Sequence, residues 1–117
     1  MIFFHIIEDF HVQGKLAHMK QRVWWMNQPT YTSKYKYDYF AVLLAHGFEW
    51  SIFIHIPIIY YIGVSYFIII CIVISAIMHA IIDHLKCNLY ASNLCQDQLF
   101  HILQIILVVV MMYVIYG

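Results

Sequence analysis

Residues 64–85 read VSYFIIICIVISAIMHAIIDHL. No charge interrupts the run from Phe67 to Met78, and the apolar residues do not alternate with polar ones. The stretch therefore does not fit a half-buried strand or a barrel strand. As a helix rising about 1.5 Å per residue it reaches about 33 Å, enough to cross a hydrocarbon layer of about 30 Å. His79 and Asp83 follow at its end, four residues apart and so on one helical face. Two other stretches repeat this spacing on hydrophobic sequence, His5 with Asp9 and Asp97 with His101. Ionisable residues in membrane segments are costly and usually functional. Imidazole and carboxylate are also the common ligands of zinc, iron and manganese.

The rest of the chain agrees with this reading. It has 117 residues, 64% hydrophobic and only 10% charged, with a mean hydropathy of +0.77. A soluble domain of this size needs a far more charged surface. The expected fold is an all-α integral membrane protein forming a single membrane domain over residues 1–117. Three transmembrane helices are expected at 38–60, 64–85 and 96–116. A short amphipathic helix over 2–13 is too short to span, and is expected to be partly embedded and ended by Gly14. The connection 14–37 is polar and aromatic, with Trp24, Trp25, Tyr31, Tyr35 and Tyr37 suited to the headgroup zone. Its part before Pro29 is expected to include an interfacial helix.

The connection 14–37 and the loop 86–95 hold all of the Lys and Arg residues. The positive-inside rule places both on the cytoplasmic side and the C-terminus outside. Zero net charge gives no indication of nucleic-acid binding. Cys71 reads as an apolar filler, and Cys87 and Cys95 lack the spacing of a zinc site, so free thiols on a reducing side are expected. The N-terminus lacks a basic leader region and does not read as a signal peptide.

With this topology, all four helices bring His or acid to the cytoplasmic half of the bilayer. His5, Asp9, His46, His79, Asp83, Asp97 and His101 are the candidate ligands of one or two divalent ions. Zinc or manganese is favoured over magnesium because the donors include several imidazoles. Asp9, Asp83 and Asp97 are also the candidate catalytic carboxylates, and some carboxylates are expected to orient imidazoles. Gln13 and Gln98 are placed to position a water or substrate oxygen. Glu49 shares a face with His46. His11, His18 and His84 read as solvated, His55 as structural, and Met111 and Met112 as lipid-facing or packing residues. A polar cluster that joins helices by hydrogen bonds is the competing account of the same residues.

The string His5-Asp9-Phe10-Gln13, of the form H-x-x-x-D-F-x-x-Q, resembles the opening motif of the domain-of-unknown-function 3307 family of bacterial and phage membrane proteins. His46, then His79-x-x-x-Asp83, then Asp97-Gln98-x-x-His101 extend the similarity in order over nearly the whole chain. The resemblance implies a bacterial inner-membrane location. It also implies a distant analogy to metal-dependent hydrolases. The tyrosine-rich connection 24–39 departs from the shorter apolar linkers of such proteins.

Three functions remain open on the sequence. The first is a membrane-embedded, metal-dependent hydrolase acting on a lipid-linked or membrane substrate. Neither GxSxG nor HExxH is present, so a serine-hydrolase or zincin mechanism has no support. The second is a small accessory subunit whose His/Asp cluster is structural and whose connection 14–37 docks a protein partner. The third is a proton or metal conduit, disfavoured because the outer halves of the spans offer little beyond His55 and Ser65. Membrane lipid is the partner common to all three.

Overall fold

The computed structural model describes residues 1–117, and every regular element in it is helical. The chain opens with α1 (Ile2–Ile7), which runs into a π-helical turn over Glu8–Val12. Two short helices follow, α2 (Leu16–Met19) and α3 (Arg22–Met26), and then a 3-10 turn at Ser33–Tyr35. The bundle is completed by α4 (Asp38–Ile62), α5 (Tyr66–Cys87) and α6 (Leu94–Tyr116). These last three are long and apolar enough to cross a membrane.

The boundaries differ from the sequence expectation for identifiable reasons. The first span runs to Ile62, where Gly63 takes a φ of +84° that only glycine adopts without strain. The second begins at Tyr66 because Ser65 caps it, its Oγ accepting from the Ile68 amide at 3.3 Å. The third begins at Leu94 because Asn93 and Gln96 form a reciprocal capping box. The helix expected over 2–13 changes type at Glu8, and the Gln13 amide reaches back five residues to the Glu8 carbonyl. Gly14, at φ +49°, then turns the chain as expected.

The expected interfacial helix is broken into two at Lys20 and Gln21, where Gln21 is extended. This part of the connection is fastened to the loop between α5 and α6. Asn88 accepts from the Arg22 amide at 2.6 Å and donates to the Lys20 carbonyl at 3.0 Å.

The bundle is inside-out relative to a water-soluble one. More of the buried residues are polar or charged than apolar, while Ile69, Ile70, Ile77, Ile81, Ile106, Val109 and Val110 are exposed. That distribution suits an apolar surrounding medium, in which polar groups must find partners inside the protein. Apolar packing is confined to two small groups, Trp50 with Ile54 and Ile105, and Ile68 with Cys71, Val108 and Met112. Met111 is half-buried beside the second group, so the methionine pair packs.

The most extensive helix contact is α4 against α5. Small residues make it possible, since a Cβ placed on Gly47 would stand 2.4 Å from the Ala76 carbonyl oxygen and 3.4 Å from the Ala80 Cβ. Ser51 Oγ donates across this contact to the Ile72 carbonyl at 2.7 Å. Gln104 Nε2 makes the equivalent bond from α6 to the Ser75 carbonyl at 2.7 Å.

Candidate metal centre

Four helical segments supply the centre: α1 with its π-turn, α4, α5 and α6. The i, i+4 spacing read in the sequence turns each pair inward, and His5, Asp9, His46, His79, Asp83, Asp97 and His101 are all buried. Asp83 stands in the middle. Its Oδ2 is 3.2 Å from His46 Nε2 and 3.6 Å from His79 Nε2, and its Oδ1 is 3.3 Å from His101 Nε2. The His46 and His79 Nε2 atoms are 3.1 Å apart. Asp9 Oδ1 lies 3.8 Å from His46 Nε2 and 4.0 Å from His79 Nε2. Asp97 Oδ1 lies 3.5 Å from His101 Nε2. The rings pack closely as well, with His79 stacked on both Trp50 and His101 at centroid distances of 4.2 Å.

These separations suit ligation. Donors about 2.0–2.2 Å from one ion stand roughly 3.0–3.5 Å apart in octahedral or tetrahedral arrangements. Three sets of donor atoms each lie within 4.8 Å of one another: Asp9, His46 and His79; His79, Asp83 and His101; and Glu8, His46 and Glu49. Asp9 Oδ1, Asp97 Oδ1 and His101 Nε2 are buried without a hydrogen-bond partner, which is costly unless a donor, proton or cation reaches them. The buried groups can hold a metal ion.

Charge is compatible with an ion. Glu8, Asp9, Asp83 and Asp97 bring four buried carboxylates. Lys20 pairs with Asp83 at 2.6 Å and Lys86 with Asp97 at 2.9 Å, which offsets two. With neutral imidazoles, an excess of two negative charges remains in a low-dielectric site. One divalent ion, or two additional protons, balances it.

His5 is placed differently from the other imidazoles. Its Nδ1 accepts from the Trp50 indole at 2.8 Å, so its Nε2 carries the proton and faces Gln98 Oε1 at 3.1 Å. Both ring nitrogens are thereby committed. Gln98 Nε2 in turn reaches Asp9 Oδ2 and Asp97 Oδ2, each at 3.2 Å. Gln98 thus holds two candidate ligands in place, and Gln13 binds the Asp9 carbonyl and accepts from Lys20 at 3.1 Å.

Sequence reading missed four residues here. Glu8 is fully buried, with Oε1 3.1 Å from His46 Nδ1. Trp50, one turn beyond His46, forms a wall of the site. Both carried a usable signal, because Glu8 adjoins Asp9 and Trp50 shares the His46 face. Lys20 and Lys86 counted in the sequence only as charges of the two cytoplasmic connections, yet Lys20 is only 6% exposed and Lys86 reaches a buried carboxylate. Burial works against the Lys20 ammonium, but the charge and hydrogen bond of Asp83 outweigh it and hold its pKa above the ordinary lysine value.

The remaining histidines separate as the spacing suggests, with one exception. His11 and His18 are exposed, and His55 is buried away from the centre, with Nδ1 2.7 Å from the Ser51 carbonyl. His84 is half-buried and stacked on Tyr39 at 6.0 Å rather than solvated.

The fold and site together define a helical bundle with a buried centre of imidazoles and carboxylates. In comparisons with known proteins, no family model, curated protein or solved structure matches the chain.

Proposed function

We propose that the protein is a membrane-embedded, metal-dependent hydrolase acting on a lipid-linked or membrane substrate. The observation that carries the metal reading is the convergence of the His46, His79 and His101 Nε2 atoms on the Asp83 carboxylate, all of them buried. His46, His79, His101, Asp9 and Asp83 are the proposed ligands, with Asp97 as a ligand or base. His5 holds Gln98 in position, and Gln98 in turn holds Asp9. The imidazole donors favour zinc or manganese over magnesium. A divalent ion held there would supply Lewis-acid activation of a water, and a carboxylate outside the ligand set would serve as the proton acceptor. The resemblance of the ordered motifs to the domain-of-unknown-function 3307 family is what suggests a bacterial inner-membrane setting.

The first test is metal content. Wild-type protein purified without chelator is expected to carry zinc or manganese, and His79→Ala is expected to lose most of it. Wild-type protein that is metal-free and still functional would end the enzyme reading.

The proposed topology puts the α5–α6 loop and the centre at the cytoplasmic side. Because Lys20 is buried, the probes are single cysteines at Lys15 and Gly117 in a background lacking the native cysteines. An impermeant thiol reagent is expected to label them from opposite sides; labelling of both from one side would overturn the orientation.

A second reading is favoured by the two lysine pairs. Lys20 and Lys86 already neutralise Asp83 and Asp97, so protonation of two imidazoles closes the charge balance with no ion at all. The protein is then an accessory subunit whose cluster joins the helices and whose connection 14–37 meets a protein partner.

A further inference from the structure

We infer that Glu8 is a positioning residue of the metal centre, and that it fixes His46 in the tautomer that turns the Nε2 lone pair toward the ion. This rests on the metal reading above and adds to it a residue that neither the sequence motifs nor the proposed ligand set includes. Glu8 is fully buried, and neither of its carboxylate oxygens has a hydrogen-bond partner. Such a group is sustained only by a nearby donor or cation. The donor at hand is His46 Nδ1, 3.1 Å from Oε1, with the ring N–H angled off the line between them. On the far side of the same ring, Nε2 faces Asp83, His79 and Asp9.

An imidazole has one proton to place when neutral. A carboxylate behind Nδ1 draws the proton there and leaves Nε2 as the ligand, while raising its basicity. Glu8 and Asp9 lie three and four residues after His5, on one helical face, and both are buried where the π-turn begins. One short segment thereby supplies both a candidate ligand and the group that orients a second one. π-turns of this kind recur at functional sites.

The test uses the full chain in detergent, with zinc as the probe and a chromophoric chelator as competitor. Glu8→Leu removes charge and acceptor together. It is expected to lower zinc affinity roughly 10–100-fold with unchanged stoichiometry. Glu8→Gln keeps an acceptor oxygen and is expected to fall between wild type and Glu8→Leu. Nitrogen-15 spectra of His46 in the metal-free protein, taken at a pH high enough for the ring to be neutral, are expected to report the Nδ1–H tautomer in wild type and a mixture in Glu8→Leu, a change that a purely structural carboxylate would not cause. If Glu8→Leu fails to fold, Glu8→Gln decides the question by the same two measurements. Zinc bound by wild type and by both variants with equal affinity overturns the role of Glu8 and leaves the metal reading intact. A loss of one whole equivalent of zinc in Glu8→Gln overturns it too, because Glu8 is then a ligand of a second ion with Glu49. Absence of zinc binding in wild type removes the metal reading itself.

Discussion

Asp83→Leu is expected to destabilise the protein by about 3–5 kcal/mol and to abolish metal binding, and the two losses are separable. The first comes from Lys20. Its ammonium sits 2.6 Å from Asp83, with both side chains under a tenth exposed, and removal of the carboxylate leaves an unpaired buried charge. The second comes from the central place of Asp83 among the three imidazoles. Adding Lys20→Met to Asp83→Leu should therefore restore most of the stability without restoring the metal. Thermal melting in detergent measures the first effect and zinc content the second. Asp83→Asn, which keeps an oxygen for Lys20, is expected to melt closer to wild type while losing any metal-dependent turnover. If the double variant regained neither stability nor metal, the Lys20 pairing would not be the source of the instability. If Asp83→Leu retained zinc, Asp83 would not be a ligand.

Much of this centre was legible in the sequence because helices impose a short-range geometry. Once 64–85 is a helix, His79 and Asp83 must share a face, and the same holds for His5 with Asp9 and Asp97 with His101. Connection length and charge then bring those faces to one end of the bundle. The missed residues fall outside that geometry. Lys20 lies in a connection whose path depends on Asn88, sixty-eight residues away in the chain, holding its backbone carbonyl. Nothing local distinguishes it from the solvated Lys15. Lys86 similarly turns back to a carboxylate on the next helix. Commitment of both His5 nitrogens was equally hidden, since it needs Trp50 from α4 and Gln98 from α6 together. The ends of the three long helices were read to within two residues; the shifts to Ile62, Tyr66 and Leu94 trace to a glycine or a cap, and α5 runs on to Cys87. The break between α2 and α3 was not read because Lys20 and Gln21 are ordinary helix formers, and tertiary fastening to the α5–α6 loop overrides propensity there.

Gly47→Leu is the substitution expected to damage fold and site together. The Ala76 carbonyl already stands 2.4 Å from where even a Cβ would be, and a backbone oxygen in a helix cannot step aside. Ordinary contact begins at 3.4 Å, so α4 and α5 must part by about 1 Å for alanine and further for leucine. Overpacking of this kind costs about 1–3 kcal/mol, and leucine is expected at or above the upper end. The consequence for the centre follows from position. Gly47 adjoins His46, and Ala80, which it faces, adjoins His79. Those two histidines face each other across the same helix contact, with Nε2 atoms 3.1 Å apart. Ligand distances tolerate roughly 0.2 Å, so a displacement of about 1 Å takes one imidazole out of reach. Gly47→Ala should thus weaken zinc binding more than it lowers the melting temperature, and Gly47→Leu should lose both. A Gly47→Leu protein with wild-type melting and wild-type zinc affinity would show that the α4–α5 contact does not set the spacing of the centre.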